Sequence, residues 1–156
     1  MIGVGAATDR ARPVAPGLFT WPSTAPALLG SRCCDCGTVT FPKRRSCPKC
    51  TSTEVESHEL ARHGTLWSWT VQRFEPKPPY RGPDVFTPFG VGYVKLGDEV
   101  IVEARLTCAD SDRLAIGSPM RLTLEPVATD PDGTSVLTYA FAIAGTDNTE
   151  DEVSAT

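Results

Sequence analysis

Two pairs of cysteines constrain this chain more than any other feature. Cys33 and Cys36 are two residues apart, as are Cys47 and Cys50, and ten residues separate the pairs. Each pair can place two thiolates on one tight turn, and ten residues suffice for a hairpin that returns the second pair to the first. Four thiolates complete a tetrahedral Zn²⁺ site without an open coordination position, so the metal cannot activate water. The spacing predicts a structural zinc ribbon.

Other roles for these cysteines fit the sequence less well. A redox dithiol is usually a single CxxC in a βαβ setting, and disulfides need an export signal, for which residues 1–15 offer no sustained apolar stretch. An iron–sulfur site would use the same ligands, and His58 or His63 could replace one cysteine. Cys34 and Cys108 are left over and are predicted to be small buried thiols or simply reduced ones, in preference to a nucleophile. Six cysteines without an export signal indicate a reducing cytoplasm.

Length and composition narrow the fold class. A chain of 156 residues can hold one ordinary domain and a small satellite. Fourteen prolines and thirteen glycines favour short strands and turns over a helical bundle. A net charge of −4 argues against a general polyanion binder, and no apolar run is long enough to span a membrane.

The pattern of apolar residues divides the chain into a ribbon and a barrel. Residues 1–17 are mostly small, rich in proline and without periodicity, and the last ten residues are acidic. Ribbon strands are predicted near Ser31–Cys33, Val39–Phe41 and Val55–Leu60. The predicted division is residues 1–28 as a flexible or irregular segment, 29–61 as the zinc ribbon, 62–146 as the barrel and 147–156 as a disordered acidic tail.

From Gly64 onward, apolar and polar residues alternate in five segments, as expected for half-buried strands. Trp67, Trp69 and Val71 are predicted to share one face of the first strand. One helical turn is predicted at Asp110–Leu114, between the third and fourth strands. This order predicts a mainly β fold, in which a rubredoxin-like zinc ribbon precedes a five-stranded OB-fold barrel. The other four segments centre on Val91–Leu96, Val100–Leu106, Met120–Leu124 and Leu137–Ile143.

Two segments are candidates for binding. Phe74–Phe89 contains five prolines within sixteen residues, and such a long connection in a compact domain is either disordered or functional. Its aromatic residues favour a docking or ligand loop, for which Tyr80, Arg81, Phe86 and Phe89 are the candidates. The run Lys43, Arg44 and Arg45 could meet phosphates, although a hairpin tip kept soluble by charge would look the same.

Longer segments resemble a known family. These are LLGSRCCDCGTVTFPKRRSCPKC, LARHGTLWSWTVQRF, VGYVKL, VIVEARL and DRLAIGSPMRLTLEP. Together they resemble the acyl-CoA-associated zinc-ribbon/OB-fold proteins, long filed as a domain of unknown function, over roughly residues 28–144. The most specific element is RCxxCG followed by FPxRxxCPxC, in which the four cysteines match the zinc ligands of the family.

The resemblance implies a non-catalytic partner of a thiolase-like enzyme. Members accompany thiolases, acyltransferases and lipid-transfer-protein-type aldolases, including those that shorten steroid side chains, and help to hold the CoA thioester. A heterotetramer with a dimeric catalytic subunit is implied in the same way. The alternative from the residues alone is a single-stranded nucleic-acid-binding module that uses Trp67, Trp69 and Tyr93 as a stacking platform. A self-sufficient enzyme is disfavoured because no nucleophile–base set is evident.

Overall fold

The protein is an all-β chain in which a small three-stranded sheet sits beside a closed barrel. A computed structural model describes residues 10–145. No α-helix occurs among these residues, and therefore none that is long and apolar enough to cross a membrane. The strands are β1 (Ala11–Pro13), β2 (Leu29–Cys33), β3 (Val39–Thr40), β4 (Val55–Glu59), β5 (His63–Gln72), β6 (Phe89–Leu96), β7 (Val100–Leu106), β8 (Pro119–Thr129) and β9 (Ser135–Ile143).

The barrel closes in the strand order of an OB-fold. β5 pairs with β6, β6 with β7, β7 with β9, β9 with β8, and β8 returns to β5. The β7–β9 contact is parallel and short, since only Arg105 and Leu106 pair there, with Ala140 and Phe141. Leu66, Val94 and Phe141 are fully buried inside the barrel. The predicted mainly β fold, a zinc ribbon followed by a five-stranded OB-fold, is confirmed.

A β-bulge in β5 changes the predicted face of one tryptophan. The register to β6 shifts between Leu66 and Ser68, which leaves Trp67 as an extra residue. Leu66 therefore points into the core, as does Trp69, whereas Trp67 is 55% exposed. The prediction that Trp67 shares a face with Trp69 and Val71 is wrong, because strict alternation fails across a bulge.

The connection from β7 to β8 is a turn and does not form a helix. The amides of Arg113 and Leu114 both donate to the carbonyl of Asp110, at 3.1 and 3.2 Å. This is the hydrogen bonding of a single helical turn, as predicted for Asp110–Leu114, and it is too short to form an α-helix. Its last residue, Leu114, is 4% exposed and joins the core.

The ribbon and the barrel share one hydrophobic core. In the ribbon sheet, β2 lies between β3 and β4 and pairs antiparallel with both. Leu28, Val39 and Leu60 belong to the same buried cluster as Leu66 and the other barrel residues. The ribbon and the barrel are therefore packed against each other and are not separate domains joined by a linker.

The segment before the ribbon is more ordered than its composition suggests. Phe19 and Leu28 form an antiparallel bridge and are both buried. β1 pairs in parallel with the start of β9, from Ala11 to Pro13. Sequence patterns missed this strand because three residues are too few for a periodicity to show. Residues 1–9 and 146–156, which include the predicted acidic tail, lie outside the described residues.

Candidate metal centre and docking surfaces

Two matching knuckles bring the four paired cysteines together. The amide of Gly37 donates to the carbonyl of Cys33 at 2.9 Å, and the amide of Thr51 donates to that of Cys47 at 3.0 Å. Gly37 and Thr51 both have a positive φ, 76° and 63°, which turns the chain directly after the second cysteine of each pair. The sequence therefore builds the same turn twice, with glycine in one and a less favourable β-branched residue in the other.

The four sulfur atoms fit a tetrahedral zinc ion. All four lie within 4.8 Å of one another. The sulfurs of Cys33 and Cys50 are 3.5 Å apart, as are those of Cys36 and Cys47. Zinc–sulfur bonds of about 2.3 Å in a tetrahedron place the sulfurs about 3.8 Å apart, close to these separations. Four thiolates leave no position for water, so such a metal stabilises structure and performs no chemistry.

Hydrogen bonds prepare the knuckles to hold thiolates. The hydroxyl of Thr38 lies 3.1 Å from the Cys36 sulfur. This contact, with the Thr38 amide, lowers the pKa of the Cys36 thiol to about 6. The amides of Cys50 and Lys49 lower the pKa of Cys47. Both cysteines are thereby biased towards the form that binds metal.

The Cys50 thiol shows why a cation belongs between the four sulfurs. The amide of Ser52 favours the Cys50 thiolate, but the sulfurs of Cys33, Cys36 and Cys47, together with burial, raise its pKa to about 12. Four negative sulfurs this close repel one another, so one keeps its proton unless a cation neutralises the cluster. A divalent ion removes that repulsion, which agrees with the donor set.

The remaining candidate ligands lie outside the cluster. Cys34 is exposed, and partial desolvation of its sulfur, with a smaller contribution from the nearby Glu56 carboxylate, raises the pKa of its thiol. Cys108 is half-buried in the turn after β7.

The two histidines also lie apart from the cysteine cluster. His58 Nε2 lies 3.1 Å from both carboxylate oxygens of Glu99. His63 pairs with Arg121 in the barrel. Neither histidine belongs to the group of possible metal ligands found among the described residues.

An ionic latch joins the ribbon to the barrel beside the metal centre. Arg32 on β2 donates to the Glu99 carboxylate at 2.6 Å, and His58 on β4 approaches the same carboxylate. Glu99 lies in the turn between β6 and β7. The hydrogen bond from His58 lowers the pKa of Glu99 below 4.5, and Arg32 adds to this effect. The latch therefore connects the central ribbon strand β2 and the outer strand β4 to one barrel hairpin.

We expect the variant Glu99→Gln to weaken this latch slightly. The partners are partly exposed, so screening limits the loss to about 1 kcal/mol or less. Because the folded pKa lies below 4.5, the stabilisation is present above that pH and is lost as the pH falls through the lowered value. The unfolding free energy of the wild type should therefore fall more than that of the variant between pH 6 and about pH 3. Equal pH dependence in denaturant titrations of the two proteins would contradict the latch.

The predicted basic run lies at an exposed turn of the ribbon. The side chains of Lys43, Arg44 and Arg45 are all exposed. Two hydrogen bonds between Arg44 and Ser31 fix the backbone of this turn. The Arg44 amide donates to the Ser31 hydroxyl at 2.9 Å, and the Ser31 hydroxyl donates to the Arg44 carbonyl at 3.2 Å. These three side chains remain available to an anionic ligand or partner.

The proline-rich connection is an ordered loop with an exposed apolar rim. It spans residues 73–88, between β5 and β6, and is called the β5–β6 loop below. Tyr80 stacks near Phe89 with ring centroids 6.5 Å apart, and Phe86 meets Phe89 edge-on at 6.2 Å. Phe74 and Val85 are 73% and 78% exposed. Tyr80, Phe86 and Phe89 therefore pack against one another and support the loop, while Phe74 and Val85 stay exposed for contact.

A cleft lies between this loop and the barrel. Its volume is about 1190 Å³, and its walls come from the loop, the end of β7, the second half of β8 and the N-terminal residues Arg12 and Val14. The guanidinium carbon of Arg105 lies over the Phe89 ring, 3.9 Å from its centroid. Its Nε is 3.5 Å from the Glu125 carboxylate. Arg81 also lines the cleft, which brings together three of the four predicted loop residues: Tyr80, Arg81 and Phe89.

The predicted stacking platform for nucleic acid is only partly formed. Trp67 and Tyr93 meet edge-on at 6.3 Å on the outer face of the barrel. Trp69 packs against the core and is not part of that surface. The hydroxyl of Tyr93 donates to Glu103 at 3.3 Å, which places an acidic group beside the pair. A carboxylate in this position disfavours a phosphate backbone.

Comparison with known proteins identifies the family. Residues 24–56 match the family described as "ChsH2, rubredoxin-like zinc ribbon domain", and residues 57–125 match "ChsH2, C-terminal OB-fold domain". The chain belongs to this zinc-ribbon and OB-fold family, also called DUF35. The resemblance seen in the cysteine and barrel segments is thereby confirmed.

Three similar proteins align with about three quarters of this chain. The benzoylsuccinyl-CoA thiolase subunit BbsA of Thauera aromatica is 32% identical over 75% of this chain and 76% of its own length. A DUF35 domain-containing scaffold protein of Methanocaldococcus jannaschii is 27% identical over 78% of this chain and 83% of its own. A solved structure titled "Ltp2-ChsH2(DUF35) aldolase" matches 76% of this chain and 85% of its own, with a TM-score of 0.57 and 26% identity.

Proposed function

We propose that this protein is a non-catalytic accessory subunit of a thiolase-like enzyme that acts on acyl-CoA. The observation that carries the proposal is its similarity, through both ribbon and barrel, to a protein named as a thiolase subunit. The other relatives, named as a scaffold protein and an aldolase with a DUF35 component, agree with an accessory role. Catalysis would come from the partner's own residues.

In this proposal Cys33, Cys36, Cys47 and Cys50 bind one structural Zn²⁺. The support is the set of sulfur separations and the matched knuckles. The metal would fix the ribbon, which in turn holds the basic run at a defined position next to the barrel.

The β5–β6 loop is proposed to dock the catalytic subunit. It combines exposed apolar residues with Tyr80, Phe86 and Arg81, the residue types that interfaces favour, and Phe89 braces it from below. Lys43, Arg44 and Arg45 are proposed to approach the phosphates of the CoA thioester, or acidic groups of the partner. A two-plus-two heterotetramer in the cytoplasm, with an aldolase, acyltransferase or thiolase partner, is the corresponding finer proposal.

Native mass spectrometry after co-expression with a thiolase-like enzyme encoded nearby tests these assignments together. The triple variant Tyr80→Ala, Arg81→Ala, Phe86→Ala should weaken the complex by at least about tenfold, because interface aromatics and arginines dominate binding energy. Trp67→Ala is the matched control, since it removes an exposed aromatic side chain from another face of the barrel. It should leave the complex intact.

The basic run is tested separately in the same complex. Replacing Lys43, Arg44 and Arg45 with alanine should raise the Kd for the CoA thioester or weaken the complex, since three cationic groups are removed. If neither quantity changes, that assignment is wrong. If the wild-type chain forms no zinc-bearing complex with the enzyme, the proposed function itself fails.

A further inference from the structure

The N-terminal residues 10–14, called the strap below, add a sixth strand to the barrel. Within it, β1 pairs in parallel with Ser135–Leu137 of β9. This is the half of β9 from which β7 has diverged, because β7 meets β9 only at Ala140 and Phe141. Without the strap, the start of β9 would be an open sheet edge.

The strap is built as a last strand. The amide of Ser135 donates to the carbonyl of Arg10, and the amide of Val14 donates to that of Leu137, both at 2.8 Å. Since alternate residues of a strand face the same neighbour, the backbone groups of Arg12 also face β9 and those of Pro13 face away. Proline has no amide hydrogen to offer on that outer side. A further strand is therefore discouraged, while one strand fits.

Charge selects what can lie on this edge. Arg12 binds the Asp130 carboxylate at two points, Nε to Oδ2 at 2.6 Å and Nη2 to Oδ1 at 2.9 Å. Asp132 adds a second negative charge in the same turn, between β8 and β9. The turn is thus complementary to an extended segment that carries an arginine opposite Val136.

The strap is held by its edge alone. None of its residues belongs to the buried core, and Arg12 and Val14 are exposed. Its attachment consists of a few backbone hydrogen bonds and one solvent-exposed ion pair, the kind of contact that opens locally while the fold persists. Arg12 and Val14 also line the cleft beside the β5–β6 loop, where the partner is proposed to dock.

We propose that the edge of β9 at Ser135–Leu137 is a strand-addition site for an extended, arginine-bearing segment of the catalytic partner, and that the strap occupies it until the partner binds. This inference rests on the proposed function for the identity of the partner. Main-chain hydrogen bonds give such a site its affinity, and a side-chain pocket gives it specificity. Here the pocket is the Asp130 carboxylate.

Amide hydrogen exchange in the full chain measures the attachment of the strap. Arg12→Gln should raise the exchange rate of the Ser135 amide by up to about fivefold, in line with the loss of an exposed ion pair. The amide of Leu122, which donates to Arg62 inside the barrel, should not change. Lys95→Gln is the matched control, because it removes another exposed pair, to Asp98 at 3.4 Å in the β6–β7 hairpin, with which the strap does not pair.

A peptide of residues 9–17 then serves as the strand probe. Added to the Arg12→Gln chain, it should restore protection of the Ser135 amide, and the same peptide with glutamine in place of Arg12 should bind more weakly. An unchanged Ser135 amide in Arg12→Gln, or a peptide that restores no protection, would overturn the strand-addition site. A concentration-dependent dimer would assign the edge to the strap of a second copy and would overturn the partner assignment.

The complex itself gives the decisive pair of readings. When the partner binds, the Val14 amide should lose protection because the strap leaves, whereas the Ser135 amide should stay protected because another strand replaces it. A complex in which both amides stay protected, or both lose protection, overturns this proposal and leaves the proposed function standing. Failure of the wild-type chain to form any complex refutes the proposed function, and with it the partner as the occupant.

Discussion

Replacing Cys47 with serine should release zinc and unfold the ribbon. Cys47 is buried and its sulfur lies 3.5 Å from that of Cys36, so serine keeps the size but removes a thiolate from the tetrahedron. Structural zinc contributes roughly 10–16 kcal/mol to folding in zinc-finger peptides. This exceeds what a three-stranded sheet of twelve paired residues can supply by itself.

The matched control is Cys34→Ser, one residue from Cys33. Cys34 is exposed and lies outside the ligand group, so its substitution should leave one zinc per chain and an unchanged melting temperature. Elemental analysis of gently purified protein gives the zinc content, and circular dichroism follows unfolding. One equivalent of zinc in Cys47→Ser, or its loss in Cys34→Ser, would disprove the assigned ligand set.

The barrel should survive this change in a weakened form. Leu66, Val94 and Phe141 form a core of their own, but Leu28, Val39 and Leu60 cover it from the ribbon side. Loss of the ribbon should therefore expose apolar surface, increase the binding of a hydrophobic dye and lower the melting temperature of the barrel. A barrel of unchanged stability would show that the shared core contributes little.

The fold could be predicted from sequence where a local pattern carries it. The spacing of Cys33, Cys36, Cys47 and Cys50 identifies the ribbon, and alternation from Gly64 onward identifies all five barrel strands. The alternating pattern fails at Trp67, because a single extra residue in the strand reverses the face on which the preceding side chains lie. Nothing in the residue types around Leu66 marks that position as a bulge.

Features that depend on distant partners could not be predicted. The strap has three paired residues and becomes a strand only because β7 leaves the start of β9 open. The latch at Glu99 joins residues more than forty positions apart, Glu99 to Arg32 and to His58. The aromatic residues of the β5–β6 loop are evident from the sequence, but the cleft that they form with Arg105 exists only once the barrel has closed.

Leu28→Ala should be among the most destabilising single substitutions in the chain. Leu28 is 0% exposed, and its carbonyl accepts from the amide of Leu60 at 2.9 Å, so it lies where the ribbon meets the barrel. Removing a buried leucine side chain leaves a cavity and costs about 2–5 kcal/mol. The control is Ile116→Ala, in which a 72% exposed side chain is shortened, with an expected effect within about 0.5 kcal/mol.

The form of the unfolding transition decides whether ribbon and barrel are one cooperative unit. Leu28 touches both through the shared core, and Arg62 fixes the same segment by donating from Nε to the carbonyl of Pro26 at 2.9 Å. If the units fold together, Leu28→Ala lowers the temperature of zinc release and that of barrel unfolding equally, because both reporters follow one equilibrium. Zinc release that moves while barrel unfolding stays in place would make the ribbon an independent unit. The segment before the first cysteine would then belong to the ribbon alone.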